Sequence, residues 1–363
     1  MIRALSPYYI ETPLERLDLA TNTLVPCQKY TLTIQIWDGE QSAPNPTNEY
    51  KRTFVNVRQE TGTHKMDISA MSQDFIEFNV PSTFATVSGT SVRMGNNQVW
   101  VYAYVTYNDF LGTKFYETTK LVSLGYTYGH QGENYEEVKD DFLLPVMDYK
   151  INRDGIFIIP FLADKFFDND ITISMDGGAT AYTSTVAATT DSSEMVQYLW
   201  IDMTNDFLTA NNYISVSWKG TTIDLDIYEE ARYTPMDIMF QNKDGGLQSF
   251  TFFKDRKEET VVTDKMMETN RGQPFEGKHQ FLRHNVKARN SVSASTGFIH
   301  ERENEIVQQV LYARRTWIYD PVKELYRAVV VKDTGKKFKT QLTDRLINYT
   351  VKFEYGYDQI NNN

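Results

Sequence analysis

Residues 99–107 read VWVYAYVTY. Nine residues dominated by β-branched and aromatic side chains suit a pleated, half-buried surface, and this is the strongest strand signal in the chain. Residues 113–124 are expected to pair with it across a turn at 108–112 (NDFLG). Upstream, residues 29–37 (KYTLTIQIW) alternate Tyr30, Leu32, Ile34 and Ile36 with Thr31, Thr33 and Gln35, the period-2 pattern of a strand with one buried face. Asp38-Gly39 closes that strand with a turn, SAPNPTN (42–48) is a loop held open by two prolines, and 50–57 is a second strand. Residues 67–78 (DISAMSQDFIEF) place Ile68, Met71, Phe75, Ile76 and Phe78 nearer helical spacing and predict a short helix or turn linking strands.

The strand spacing of residues 25–128 predicts an immunoglobulin- or fibronectin-like β-sandwich without the paired cysteines of antibody domains, and residues 1–24 read as an N-terminal arm. Residues 129–149 open with GHQGENYEEVKDD and read as an acidic linker. A second, acidic sandwich is expected over 150–232, from strands at 155–163 (GIFIIPFLA), 171–175, 198–201, 213–218 and 222–228 around the Ser/Thr-rich stretch TAYTSTVAATTDSSE. Residues 233–363 form the last β unit. There Asn242-Lys243-Asp244-Gly245-Gly246 is a turn signal, 247–254 a strand, and the highly charged 255–270 a hairpin arm or exposed strand pair. Strands are also expected at 317–319, 326–332 and 348–355. An amphipathic helix is predicted over 301–314, with Ile306, Val307, Val310 and Leu311 on one face, Glu at its start and Arg314-Arg315 at its end. The fold class read from the sequence is therefore mainly β, tandem sandwiches with one short amphipathic helix in the C-terminal unit.

Composition narrows function. The 23 Tyr, 21 Phe and 5 Trp add to the β reading and supply contact surface. The net charge of −11 disfavours general nucleic-acid affinity, and it is unevenly spread. Residues 1–130 carry 10 Lys+Arg against 12 Asp+Glu, residues 131–230 carry 5 against 19, and residues 231–363 carry 22 against 17. The middle is thus −14 and the C-terminal third +5. The opening residues MIRALSPYYIETPLERLDLA do not read as a signal peptide, and no window of about 20 apolar residues spans a membrane.

Candidate chemistry is sparse. Cys27 is the single cysteine and reads as a buried thiol. His64, His130, His279, His284 and His300 lack metal-ligand spacing. Asp168-Asn169-Asp170 and Asp176-Gly177-Gly178 look like calcium-loop fragments without the full twelve-residue pattern, and read as turns. Gly177-Gly178 and Gly245-Gly246 lie between strands and fit hairpin turns rather than phosphate loops. The adjacent acids Glu136-Glu137, Asp140-Asp141 and Glu229-Glu230 point to opposite sides of a strand, which argues against a paired-carboxylate glycosidase. Lys332, Lys336, Lys337 and Lys339 form a basic cluster read as a charged turn or subunit contact. The expectation is a non-enzyme with no catalytic, cofactor-binding or metal-binding residues and no cofactor.

Several stretches carry a family resemblance: FQNKDGGLQSFTFFKDRKEE (240–259), STGFIHERENEIVQQVLYARRTWIYD (295–320) and LINYTVKFEYGYDQ (346–359), with SPYYIETPL (6–14), YTLTIQIWDG (30–39) and VWVYAYVTY. Together they resemble structural proteins of phages infecting Bacteroidota, the crAss-like podoviruses in particular, whose virions stack ring and hub proteins between portal and tail tip. The resemblance implies a subunit of a tail or neck assembly, a ring or tail hub, oligomerising head-to-tail within the DNA-conducting barrel. Its implied partners are copies of itself in a ring and other phage tail or neck proteins. Passive contact with translocating DNA through an acidic lumen is expected, membrane insertion is not, and the implied location is the virion, assembled in the host cytoplasm. The alternative is a receptor- or glycan-binding fibre, spike or fibre-adaptor protein.

Overall fold

A computed structural model describes residues 1–18, 21–27, 29–38, 41, 48–55, 62–76, 91–94, 98–107, 114–128, 134–135, 137–138, 141–163, 171–175, 180–184, 195–203, 212–268, 279–321, 323, 325–333, 347–357 and 359–361. The fold is mainly β: among the described residues strands make up 63% and helical turns 7%, arranged as packed sheets with one short α-helix near the C-terminus. The turns expected at 38–39 and 108–112, the loop 42–48, the linker acids Glu136 and Asp140, the fragments 168–170 and 176–178, most of the Ser/Thr-rich stretch, His130 and Lys336, Lys337 and Lys339 lie wholly or partly outside the described residues.

The VWVYAYVTY segment is the centre of the first sheet. Gln98–Tyr107 is flanked by Lys114–Ser123 on one side and Lys29–Trp37 on the other, with Asn48–Val55 at one edge. Tyr30 pairs with Tyr107 and Trp37 with Trp100, so the alternating apolar side chains of both strands align on common faces. The opposite edge is completed by Ile2–Arg3, which runs parallel to Lys114–Ser123 in the register Ile2–Val122. Tyr9–Pro13 pairs with Thr63–Asp67, and Glu15–Asp18 with Thr23–Pro26. Residues 1–24 are thus not an arm in this structure. Met1, Ile2, Ala4, Ile10 and Leu14 are buried, and their burial holds the segment down. The short helix or turn expected within 67–78 is a 3₁₀ turn over Ala70–Phe75.

The second region contains a five-stranded sheet, in the order Asp148–Asn152, Thr221–Tyr228, Tyr213–Trp218, Ile171–Met175, Thr180–Ser184. Beside it lies a three-stranded sheet of Ile156–Ala163, Met195–Asp202 and Ser91–Met94. Its last strand comes from within 25–128, so that boundary is crossed by backbone pairing (Gln197–Met94 to Trp200–Ser91). This sheet is covered on both faces, which explains the near-continuous apolar run GIFIIPFLA. Phe157, Ile159, Phe161, Leu199 and Ile201 share a core with the five-stranded sheet. Ile158, Leu162, Val196, Tyr198 and Trp200 point the other way, into a seam with Trp37, Trp100 and Leu121 of the first sheet and Met239 and Leu247 of the C-terminal unit. Of the acidic linker expected over 129–149, the described stretch 141–149 is built in: Phe142, Leu143 and Leu144 are buried, Phe142 bridges Phe161, and Asp148 already begins a strand.

The C-terminal sheet runs Leu247–Phe252, Met236–Gln241, Thr316–Asp320, Leu325–Val331, Thr350–Tyr355, Phe281–Ser295, Arg256–Glu268, with Gln359–Asn361 also paired to Phe281–Ser295. Its core is continuous with that of the middle region, since Phe240, Phe252, Val351 and Phe353 pack in the same cluster as Ile171, Leu225 and Trp218. The helix expected over 301–314 is a 3₁₀ turn, Glu301–Glu303, leading into an α-helix, Asn304–Tyr312. Ile306, Val307 and Val310 are buried as the apolar stripe requires. The helix stops before Arg314-Arg315, because Ala313 turns extended (φ −57°, ψ 122°) to feed the strand Thr316–Asp320. The two arginines therefore lie past the last helical turn, not in it.

Candidate interaction surface

The sequence candidates for chemistry are dispersed. Cys27 is fully buried, its backbone N–H bonded to Leu14 O. His64 takes a hydrogen bond with the Tyr30 hydroxyl and packs edge-on to Phe54 (5.3 Å between rings). His300 precedes the helical turns and its N–H donates to Glu303 Oε2 at 2.6 Å. His279 and His284 are exposed on the hairpin. Glu229 pairs with Arg153, Glu230 with Lys254, and Glu137 with Lys120 and the Tyr8 hydroxyl. Lys332 pairs with Glu354 at 2.5 Å. Among the described residues no group of three or more His, Cys, Asp or Glu is placed to hold a metal ion.

The densest polar construction is the Asn242–Gly246 turn, and it is a joint. Asn242 is fully buried; its Oδ1 accepts from the N–H of Asp244 and of Gly246 (3.0 Å each), and its Nδ2 donates to Leu143 O at 2.7 Å. Buried amides need such complete satisfaction, since an unmade bond costs about 1–3 kcal/mol. Gln241 Nε2 donates to Leu124 O, Tyr126 N–H to Lys243 O (2.7 Å) and Ser123 Oγ to Asp244 O (2.7 Å), which ties the turn to the end of the first sheet. The Arg3 guanidinium bonds Asp244 Oδ1 through Nε (3.0 Å) and Nη2 (2.7 Å). Gln309 on the helix accepts from Lys243 N–H at 3.1 Å. Gly245 sits at φ +83°, and a Cβ there would lie 2.7 Å from Gly125 N. The turn signal was legible in the sequence; its partners 66–241 residues away were not.

Nearby, Tyr126, Tyr128 and Tyr312 form a ring cluster at 5.8–6.1 Å, with Lys243 Nζ 4.8 Å from the Tyr128 ring centre. Tyr312 is 62% exposed, and the cluster borders a cleft lined by Arg3, Tyr135, Glu137 and Asp141.

Two other surfaces stand out. The outer face of the five-stranded sheet carries Asp148, Asp224 and Asp226 against Lys150, together with Tyr213, Ser215 and Ser217, while the alternate residues Ile151, Ile214, Val216, Ile223 and Leu225 are buried. The Tyr213 hydroxyl donates to Asp224, and that carboxylate pushes the phenol up to about 12. The second surface is the hairpin of Arg256–Glu268 and Phe281–Ser295. Its base is held by Thr350–Tyr355 (Ser291–Ser295) and Gln359–Asn361 (Val286–Ala288). Beyond residue 286 towards the tip, the described residues form a two-stranded ribbon. Met267 faces Leu282 across the ladder, and Met266 and Phe281 occupy the other face (pairs 266–283 and 268–281). All four are exposed: Met266 68%, Met267 49%, Phe281 52%, Leu282 43%. The sequence announced a charged hairpin; the signal for this patch was the adjacent apolar pairs 266–267 and 281–282, which break the alternation of a one-sided strand.

No protein-family model matches the chain, and comparison with curated proteins finds no relative.

Proposed function

We propose that this chain is a non-enzymatic structural subunit of a bacteriophage virion, a ring or tail-hub component of the tail or neck that associates head-to-tail around the DNA path. The observation that carries the reading is the ribbon, which presents large apolar side chains on both faces, exposed among the described residues. A two-stranded hairpin in water is marginal alone, and contiguous exposed apolar surface marks a contact site. The interlocked sheets and the Asn242 joint support a rigid brick. The acidic middle region suits a DNA path, because a negative wall repels phosphate. The resemblance of residues 240–259, 295–320 and 346–359 supplies the phage assignment.

Sedimentation velocity and negative-stain microscopy of the purified chain test this. Closed rings or a concentration-dependent oligomer are expected, with no shift of duplex DNA in gels. A strict monomer at all concentrations, alone and with other tail proteins, would contradict it. A second reading, a receptor- or glycan-binding tail protein, is favoured by the Tyr126–Tyr128–Tyr312 cluster beside its cleft. Saturable binding on a glycan array, lost in Tyr312→Ala, would support that reading instead.

A further inference from the structure

We propose that the ribbon of Arg256–Glu268 and Phe281–Ser295 docks on the outer face of the five-stranded acidic sheet of a second copy of this chain. The inference rests on the reading of the chain as a self-assembling subunit and names the two surfaces that meet.

Charge selects this pairing. The two ribbon strands carry 6 Lys+Arg (256, 257, 265, 283, 287, 289) against 4 Asp+Glu (258, 259, 264, 268), a sum of +2. The sheet face offers Asp148, Asp224 and Asp226 against Lys150 and Arg302, within a region that sums to −14. Arg302 pairs with Asp148 at 2.7 Å, so that Asp224 and Asp226 are the carboxylates that face a partner. Copies that each carry −11 repel one another at long range, so a contact between them must be locally complementary. Ribbon on ribbon sets positive against positive, and acidic sheet on acidic sheet sets carboxylates against one another. Ribbon on sheet is the combination that opposes signs. It is also a contact between two different patches, the heterologous kind that closes rings.

The apolar side chains fit the same pairing. The sheet face is polar but not bare, since Tyr213 lies on it and Tyr228 ends the strand with 42% exposure. Methionine thioethers make favourable contacts with aromatic rings, and Met266 and Met267 are the ribbon's most adaptable side chains. Duplex DNA is the competing occupant for a basic ribbon. The four interleaved carboxylates, and the engagement of Arg283 by Asp264 at 2.7 Å, weaken that case. The assignment places Asp224 and Asp226 in the contact and leaves any channel lining to other acidic residues of 131–230.

Two measurements on the full chain test it. In the first, Met267→Cys and Asp226→Cys variants are mixed and oxidised in air; buried Cys27 stays out of reach. A disulfide-linked dimer that forms in the mixture well above either variant alone is the expected result. In the second, self-association of the wild type, Met266→Glu and Phe281→Glu is followed by sedimentation velocity. Each variant should weaken association by about ten-fold or more through loss of a buried apolar contact. Added NaCl should weaken the wild-type contact, because the Debye length shrinks from about 10 Å at 0.1 M to about 3 Å at 1 M. If the wild type assembles, neither variant weakens it and no mixed disulfide forms, the docking is wrong while the subunit reading stands. A wild type that never self-associates overturns the docking, and one that stays monomeric with other tail proteins as well overturns both. Binding of duplex DNA that Met266→Glu and Phe281→Glu abolish, without self-association, overturns the docking in favour of a nucleic-acid partner.

Discussion

Asn242 and Gly245 concentrate much of the fold's specificity in one turn. The Asn242 side chain bonds Leu143, Asp244 and Gly246 together, so Asn242→Ala leaves buried N–H and C=O groups unmade. A loss of about 2–4 kcal/mol is expected in denaturant unfolding, the sum of one to two unsatisfied buried groups. Gly245→Ala combines a left-handed backbone with a backbone clash at Gly125, and a loss of about 1–3 kcal/mol is expected by the same measurement. Asp237 supplies a pH signature. Its carboxyl accepts from Thr251 Oγ1 (2.6 Å) and Asn152 Nδ2 (3.3 Å), yet desolvation raises its pKa above the ordinary carboxylate value. The folded state then holds this proton more tightly than the unfolded chain. Its contribution to stability is present in acid and falls as pH rises from about 4 through the raised value. Wild type minus Asp237→Asn in unfolding free energy should therefore decrease as pH rises, read from urea titrations at successive pH values; a difference that is flat or rises with pH would contradict the assignment.

At the scale of elements, strands with one buried face were legible because period 2 is local. Lys29–Trp37 and Gln98–Tyr107 could be read by eye, as could the buried stripe Ile306, Val307 and Val310 of the helix. Ile306→Ala should cost about 2–5 kcal/mol, as large-to-small changes in packed cores do, measurable as a lower thermal midpoint. Tyr312→Ala on the same helix, 62% exposed, should cost about 0.5 kcal/mol or less. Ser91–Met94 was illegible, because SVRM has no alternation of its own and is a strand only through its pairing with Gln197–Trp200. Ile2–Arg3 is too short to show a period. The end of the helix was missed for a similar reason: Arg314-Arg315 suit a C-terminal turn electrostatically, but the sheet claims the following strand. The ribbon was legible as a charged hairpin and not as a bearer of exposed apolar side chains, since exposure on both faces is a property of the folded sheet.

On the scale of the whole molecule, the boundaries drawn at 128, 149 and 232 follow composition, and apolar packing runs across them. Residues 150–232 expressed alone would lack the strand Ser91–Met94, the Trp37–Trp100–Leu121 seam and the shared core with Phe240 and Phe353. That fragment should show no dispersed amide spectrum by NMR and no cooperative melt; a folded fragment would refute the shared core. The three-stranded sheet has a further consequence, in time. Ser91–Met94 leaves the ribosome roughly 100 residues before its partner strand ends at Asp202, a delay of about 5–20 s at 5–20 residues per second. For that interval the nascent chain carries the seam face of its first sheet, with Trp37 and Trp100, uncovered by the partner it will have at the end. Yield in the cell should then depend on translation speed and on chaperones that shield a half-made protein, more than on the stability of the finished one.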